Sequence, residues 1–154
     1  MRVGTKGRYA VVALVDVALN GEKGPVALGE VAQRQQISLS YLEQLFAMLR
    51  RAGLVVASRG PGGGYRLQRP AAEISLADVF GAVEDGSGPV EGGRDWIAGP
   101  AAHVWAGLDQ HIAGFLKTLT LADAAGSPSP GIRNGAGGQP ARAASGLSAD
   151  VKLA

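Results

Sequence analysis

The chain has 154 residues, a formal net charge of +2 and no cysteine. That length allows one domain of ordinary size with an appendage, and the lack of cysteine excludes disulfides, thiol catalysis and thiolate-ligated metals. Because no apolar run is long enough to span a bilayer and no signal-peptide pattern opens the sequence, we expect a cytoplasmic protein without membrane contact.

Charge is distributed unevenly along the chain. Residues 1–70 contain ten basic and four acidic residues, whereas residues 71–125 contain two basic and eight acidic ones. A basic half of this kind is a candidate for contact with a polyanion such as DNA.

Two helices are predicted near the start of the chain. Thr5 can cap a helix that runs to about Asn20, and residues 9–19 are apolar almost all round apart from Asp16, as expected of a central buried helix. After a loop, residues 26–35 predict a short helix that turns its apolar side chains inward.

A third predicted helix, from about residue 40 to residue 51, has the features of a DNA-reading helix. Ser40 and Glu43 have the spacing of a capping box. Large apolar residues recur on one face, at Leu42, Leu45, Phe46 and Leu49. The opposite face is polar at its start and basic at its end, with Ser38, Ser40, Tyr41, Glu43, Gln44, Arg50 and Arg51. Short polar groups early in a helix suit hydrogen bonding to base edges, although this helix alone fits a solvated surface equally well.

A short hairpin with a glycine-rich, basic turn follows that helix. Gly53 is a helix stop, residues 54–58 favour a strand, residues 65–67 can return antiparallel to it, and residues 59–64 (RGPGGG) form the turn. The glycines allow a close approach to another surface, and Arg59 can enter a minor groove. Helix, stop, strand and basic turn in this order predict a winged helix-turn-helix that binds double-stranded DNA. A merely flexible turn is the alternative.

Two further helices are predicted after the hairpin. Ser75 and Asp78 have capping-box spacing before a helix over residues 76–83, and a polar loop over residues 84–100 follows. A longer helix from residue 101 to about residue 123 carries a wide apolar stripe. The stripe comprises Val104, Trp105, Leu108, Ile112, Phe115 and Leu119. Residues 125–154 are rich in alanine, glycine, serine and proline, and we expect a disordered tail.

The apolar stripe predicts an oligomer. It is wide for a helix lying beyond a compact domain, so we expect a partner to cover it. The plainest partner is the same helix of a second copy, because twofold dimers are the commonest oligomers and a dimer doubles the DNA half-sites. Packing within the chain is the alternative.

No motif predicts catalysis. The glycine-rich turn lacks the Lys-Ser or Lys-Thr of a phosphate-binding loop, and Tyr65 occupies the third glycine position of a dinucleotide motif. His103 and His111 are eight residues apart, whereas a helical zinc pair needs four. The loop also holds four carboxylates that could bind a cation weakly, Glu84, Asp85, Glu91 and Asp95. They are better interpreted as a solvated acidic loop. We therefore expect neither enzymatic activity nor a cofactor.

Several sequence motifs occur in order at the spacing of a known family. They are TKGRYAV near the start, ISLSYLEQLF and LRRAGLV on and after the third helix, RGPGGGYRL at the hairpin, and GFLKTLTLAD near residue 120. Over roughly residues 1–124, the chain closely resembles the IscR-like iron-sulfur cluster regulators. The resemblance implies a mainly α-helical, dimeric bacterial transcription factor with a small β-hairpin wing, a long C-terminal dimerisation helix and a palindromic operator.

The resemblance also implies which residues contact DNA. Major-groove contacts would come from Ser38, Ser40, Tyr41, Glu43 and Gln44. Minor-groove contacts would come from Arg59 and Gly60. Backbone phosphates would be bound by Thr5, Lys6, Arg8 and Arg51.

The chain departs from this family at the loop over residues 84–100. Iron-sulfur members carry three cysteines there, and a histidine three residues before the tryptophan that matches Trp105. Here the loop has no cysteine, and His103 is two residues before Trp105. Since such clusters need thiolates or an unusual substitute set, the cofactor is not carried over. Either this is a cluster-free member with another signal, or its cysteines were replaced.

The sequence thus predicts a homodimeric, sequence-specific DNA-binding regulator that acts as a repressor. A second hypothesis is a winged-helix interaction protein that docks another protein through its acidic loop, with weak or lost DNA binding. The basic residues of the third helix and the hairpin argue against it.

Overall fold

The computed structural model describes residues 3–84 and 99–126 of the chain. In these ranges the α-helices are α1 (Thr5–Asn20), α2 (Leu28–Gln35), α3 (Leu39–Arg51), α4 (Leu76–Glu84), α5 (Ala102–Thr118) and α6 (Leu121–Ala124). Short 3-10 turns lie at Gly21–Lys23 and Ala71–Glu73. The strands β1 (Val55–Ser58) and β2 (Gly64–Leu67) form an antiparallel hairpin in which Val55 pairs with Leu67 and Ser58 with Gly64. The mainly α-helical winged fold is confirmed.

The core is formed where α1, α3 and α4 pack together. Its largest fully buried side chains are Phe46, Leu14, Leu42, Leu45, Leu49, Ile74 and Leu121. All four apolar positions predicted for the third helix are among them, because their spacing places them on a single face. Helix α3 therefore has one face fixed in the core and the other exposed.

Helix α1 differs from its prediction as a helix buried all round. Tyr9 and Val12 are exposed and Leu19 is 61% exposed, whereas the charged Asp16 is only 3% exposed. Asp16 accepts hydrogen bonds from Arg34 Nη2 at 2.6 Å and from Gln35 Nε2 at 2.7 Å, so its burial is compensated. Asp16, the one charged residue in the apolar part of α1, thus joins α1 to the end of α2.

The predicted helix caps at two places are wrong. Thr5 is the first residue of α1 and caps nothing, because the cap position is occupied by Gly4. Ser40 lies inside α3, whose cap is Ser38, and the Ser38 Oγ accepts from the Tyr41 N–H at 3.2 Å. The predicted capping box of Ser40 with Glu43 is therefore absent, since α3 begins at residue 39.

The predicted start of α2 is two residues early. Val26 is in extended conformation and forms an antiparallel bridge with Tyr65, with a Val26 N–Tyr65 O distance of 2.9 Å. The backbone of Val26 is therefore taken up by the hairpin, and α2 begins only at Leu28. Pairing with a segment almost forty residues away overrides the helical pattern.

The capping box predicted before α4 is confirmed. The Asp78 N–H donates to Ser75 Oγ and the Ser75 N–H donates to Asp78 Oδ2, each at 3.1 Å.

The prediction of one helix from residue 101 to residue 123 is wrong at its C-terminal end. Leu119 is extended, and Leu76 N–H donates to its carbonyl at 2.8 Å. The chain then starts α6, whose Leu121 is in the core.

The prediction of a disordered tail lies almost wholly outside the described residues, as does most of the predicted loop over residues 84–100. In the parts of the chain that the structure describes, no helix is long and apolar enough to cross a membrane.

The Asp16 contacts generate a prediction about stability. Burial by itself raises the pKa of Asp16, but hydrogen bonds from Arg34 and Gln35, the charge of Arg34 and a hydrogen bond from Asn20 together hold that pKa below its usual 3.8. At neutral pH, Asp16→Ala should lower the free energy of unfolding by about 1–3 kcal/mol, because these donors lose their shared acceptor.

The same pKa gives the pH dependence. The lowered pKa stabilises the fold above the unfolded-state value of 3.8, and this contribution is lost as the pH falls through the folded-state value. Urea unfolding at neutral pH and in acid should therefore show the difference between Asp16→Ala and wild type shrinking in acid. The exposed Glu73, changed to alanine, is the control. Equal stability of Asp16→Ala and wild type at neutral pH would contradict this account.

Candidate DNA-binding interface

The exposed face of α3 carries the residues predicted to read DNA. Ser40, Gln44 and Arg51 lie within about 40° of one another around the helix axis, at 100° per residue, and all are exposed. Glu43 is exposed beside them, and Tyr41 is half-buried at the edge of this face. The face lies opposite the buried Leu42, Leu45 and Leu49. Its polar groups are available to a groove while the core holds the helix in place.

Two predicted contacts of α3 have a second structural role. Ser38 is the helix cap, so its hydroxyl oxygen is engaged with the Tyr41 N–H although the residue is exposed. Arg51 is in the last turn, where its charge also suits the helix dipole.

The start of α1 lies beside the start of α3. The Tyr9 and Tyr41 rings meet edge to face with centroids 5.7 Å apart. Burial, followed by the influence of Tyr9 and of the negative charge of Glu84, raises the pKa of Tyr41 above its ordinary value. Thr5 and Arg8 are exposed on this part of α1, and Lys6 is half-buried. The predicted phosphate contacts of α1 therefore lie beside the start of α3, where the predicted base contacts are.

The glycines in the turn of the hairpin are required for two different reasons, backbone conformation and close packing. Gly60 and Gly62 have φ of 95° and 72°, a region that side chains disfavour. A Cβ at Gly63 would lie 2.5 Å from the Ser58 carbonyl oxygen, and a Cβ at Gly64 would overlap the Val26 carbonyl. Two of the glycines are thus required by packing inside the fold, and not by the approach to another surface that the sequence suggested.

The hairpin is attached to α3 through an aromatic contact. The Phe46 and Tyr65 rings lie 4.8 Å apart between centroids, and Tyr65 also bridges Val26. Arg59 and Gly60 are exposed at the turn. The basic turn therefore extends from a hairpin whose strands are packed against α3.

Sequence reasoning missed three residues at this site, Gly4, Gly7 and Glu84. Glu84 Oε1 accepts from the Gly7 N–H at 2.9 Å, which joins the end of α4 to the first turn of α1. The available signal was Gly7 within TKGRYAV and Gly4 just before it. A glycine early in a helix, however, does not show which residue will contact it.

The apolar stripe of α5 divides into an exposed part and a part that faces the same chain. Val104, Trp105, Leu108 and Phe115 are 54%, 39%, 49% and 62% exposed. Ile112 instead packs against the cluster of Ala77, Phe80 and Leu116, and Leu119 is outside the helix. Ile112 and Leu119 therefore do not share the exposed side of the predicted stripe, because α5 uses one edge of the stripe to pack on α4. The role of the stripe in dimerisation stays a prediction.

The side chains of this protein that could bind a metal do not fit an iron-sulfur cluster held by cysteines. The whole sequence lacks cysteine, and within residues 3–84 and 99–126 no three histidine or acidic residues are grouped closely enough to hold a metal ion. Glu91 and Asp95 lie outside those ranges.

A short reading helix, a basic wing and an adjoining helix end together define a winged helix-turn-helix DNA-binding protein. Residues 3–126 match the family model of Rrf2, described as an iron-dependent transcriptional regulator. The chain belongs to the Rrf2 family. It is a DNA-binding transcriptional regulator and not an enzyme.

Curated and solved relatives agree with this assignment. The HTH-type transcriptional regulator IscR of Cronobacter sakazakii is 46% identical over 131 residues, which cover 80% of this chain and 79% of that protein. The solved structure of T. potens IscR gives a TM-score of 0.67 at 36% identity, over 84% of this chain and 89% of that one. CymR, the global cysteine regulator of B. subtilis, gives 0.67 at 34% identity, over 82% and 97%.

The position of Arg59 generates a prediction for the wing. Arg59→Ala should weaken DNA binding by about 1–3 kcal/mol, because one guanidinium contact with the groove is lost. The midpoint of thermal unfolding should stay unchanged, since the side chain is exposed. Fluorescence anisotropy with labelled duplex and a thermal melt provide the two measurements.

The matched control for the wing is Lys117→Ala, which removes an exposed cation near the C-terminal end of α5, at a position outside the predicted DNA contacts. It should bind DNA as the wild type does. Unaltered affinity of Arg59→Ala would remove the wing from the mechanism.

Proposed function

We propose that the chain is a cytoplasmic, homodimeric repressor that binds a palindromic operator without an iron-sulfur cluster. The observation that carries the DNA-binding part is the exposed face of α3, where Ser40, Gln44 and Arg51 stand opposite a fully buried face. A helix anchored in this way presents its polar groups to a major groove. The resemblance to IscR supports the same role.

The contacts divide by what they recognise. Ser38, Ser40, Tyr41, Glu43 and Gln44 supply the base contacts of the proposal. Arg59 and Gly60 supply the minor-groove contact, and Thr5, Lys6, Arg8 and Arg51 the phosphate contacts. In this set Glu43 is an anion that can accept from cytosine N4 and repel other sites. It therefore acts mainly on sequence preference.

The dimer part of the proposal rests on α5. Its exposed apolar residues form one stripe, with Val104, Leu108 and Phe115 within about 40° around the axis. An exposed stripe of large apolar side chains is typical of an interaction surface. A second copy of α5 matches it by symmetry, and the twofold axis would place two α3 helices on two half-sites. Such a dimer on a promoter would exclude polymerase, which is the repressor role.

The cluster-free part rests on the chemistry of the donors. Iron-sulfur clusters in proteins are held mainly by thiolates, and this chain has none to offer. We therefore infer that it responds to a different signal from the cysteine-bearing members of its family.

An operator selected from genomic fragments tests the dimer and the DNA site together. Leu108→Asp combined with Phe115→Asp should give a monomer in sedimentation velocity and lose palindrome binding, because an interface cannot bury two unpaired charges. Ile112 is left unchanged, since it packs against Phe80 within the chain. The wild type should be a dimer on the same operator.

The control pair is Ala106→Asp with Gln110→Asp, which adds the same two charges to exposed positions on the other side of α5. This pair should stay dimeric and bind the operator. A dimer persisting in the Leu108 and Phe115 variant at micromolar concentration would place the contact elsewhere.

The absence of thiolates predicts a colourless protein. Chain purified without oxygen should show no visible absorption, and its operator affinity should not change with ferrous iron, sulfide or reductant. Visible absorption with stoichiometric iron would overturn this part of the proposal. His103, Asp95 and Glu91 would then be the first ligands to replace.

A further inference from the structure

Glu84 connects the last turn of α4 to the first turn of α1. Its Oε1 accepts from the Gly7 N–H at 2.9 Å, across 77 positions of sequence. Helix α1 has no side-chain cap of its own, because Gly4 occupies the cap position. A residue of another helix therefore satisfies an N–H group that the first turn of any helix leaves without an intrahelical acceptor.

Electrostatics favours this contact over a role within α4. A carboxylate at the C-terminal end of its own helix is next to the negative end of that helix dipole, which is unfavourable. The same carboxylate at the N-terminal end of α1 meets the positive end of a dipole. The charge of Glu84 thus interacts unfavourably with the dipole of α4 and favourably with the dipole of α1.

Two glycines make room for the contact. A Cβ at Gly4 would lie 2.5 Å from Glu84 Oε1, and a Cβ at Gly7 would overlap the Phe80 ring. A side chain at position 7 would displace the buried Phe80 ring, whereas one at position 4 would displace the end of the Glu84 side chain. The glycines at positions 4 and 7 therefore belong to the same contact between α1 and α4 as Glu84.

The carboxylate also acts on the reading helix. Besides burial and Tyr9, its negative charge contributes to the raised pKa of Tyr41 on α3. Since the Tyr9 and Tyr41 rings are in contact, Glu84 lies where α1, α3 and α4 meet.

We propose that Glu84 is a positioning residue for DNA binding, which holds the first turn of α1 so that Thr5, Lys6 and Arg8 reach backbone phosphates while α3 is in the groove. The proposal rests on the proposed DNA contacts of α1. Glu84 itself touches no DNA in this account and brings an unfavourable charge toward phosphates, so its benefit comes from the hydrogen bond to Gly7.

The hydrogen bond and the charge are separated by three variants. Glu84→Gln keeps an oxygen acceptor and removes the charge, Glu84→Asp keeps the charge and withdraws the oxygen by one methylene, and Glu84→Ala removes both. Each is measured with the full chain on the selected operator and on random duplex at several salt concentrations, at a temperature where circular dichroism shows the variant folded.

The slope of log affinity against log salt is the readout that a merely structural role does not change, because it counts phosphate contacts at about 0.9 per contact. Glu84→Ala and Glu84→Asp should lower the slope by about one to two and weaken binding roughly fivefold to tenfold on both duplexes. Glu84→Gln should keep the wild-type slope. Glu73→Ala, which removes an exposed acid from the 3-10 turn, should also keep it.

An unchanged slope in Glu84→Ala, or a lower slope in Glu84→Gln than in Glu84→Asp, would overturn the positioning role. Tighter binding by Glu84→Ala would do so as well, since it would show that the carboxylate only repels phosphate. Failure of the wild type to bind any genomic fragment would instead overturn the proposed function itself, and the two failures are distinguished by the wild-type curve.

Discussion

The close approach of α1 and α4 organises the packing of the other helices around it. The Phe80 ring occupies the space that a side chain at position 7 would need, so Gly7 lets the two helices meet. Phe80 then packs with Leu116, which attaches α5 to the winged domain. Through the same helix pair, Glu84 reaches the first turn of α1. Gly7 thus lets α1, α4 and α5 pack together, which joins the helix end that is proposed to contact phosphates to the helix of the proposed dimer.

Helix α5 serves two surfaces with one apolar stripe. Ile112 and Leu116 face the chain's own α4, whereas Leu108 and Phe115 remain exposed. A stripe wider than its own domain can cover is what a helix needs to join a domain to a second copy. The extended Leu119 that follows pairs with the backbone before α4 and returns the chain to the core. The helix is therefore held at its C-terminal end by the winged domain, which fixes its exposed face relative to α3.

The similarity to IscR covers most of the chain, although the chain lacks the cysteines that the family resemblance implies. Identity of 46% to IscR extends over most of the chain, while the sequence has no thiolate to offer. The helix face and the turn that are proposed to contact DNA are held by apolar packing and by strand pairing within the chain. The proposed DNA-contacting surface is therefore built from residues other than those that would bind a cluster.

Elements with local causes follow from the sequence alone. The spacing of Leu42, Leu45 and Leu49 determined the buried face of α3, and the Ser75 and Asp78 pair determined the start of α4. Contacts between distant segments decided the rest. The Val26 pairing with Tyr65 shortened α2, Asp16 was buried because Arg34 lies beside it, and the cap of α1 came from Glu84. Periodicity and capping depend on neighbours within a few residues, whereas a partner far along the chain is defined only when the fold brings the two together.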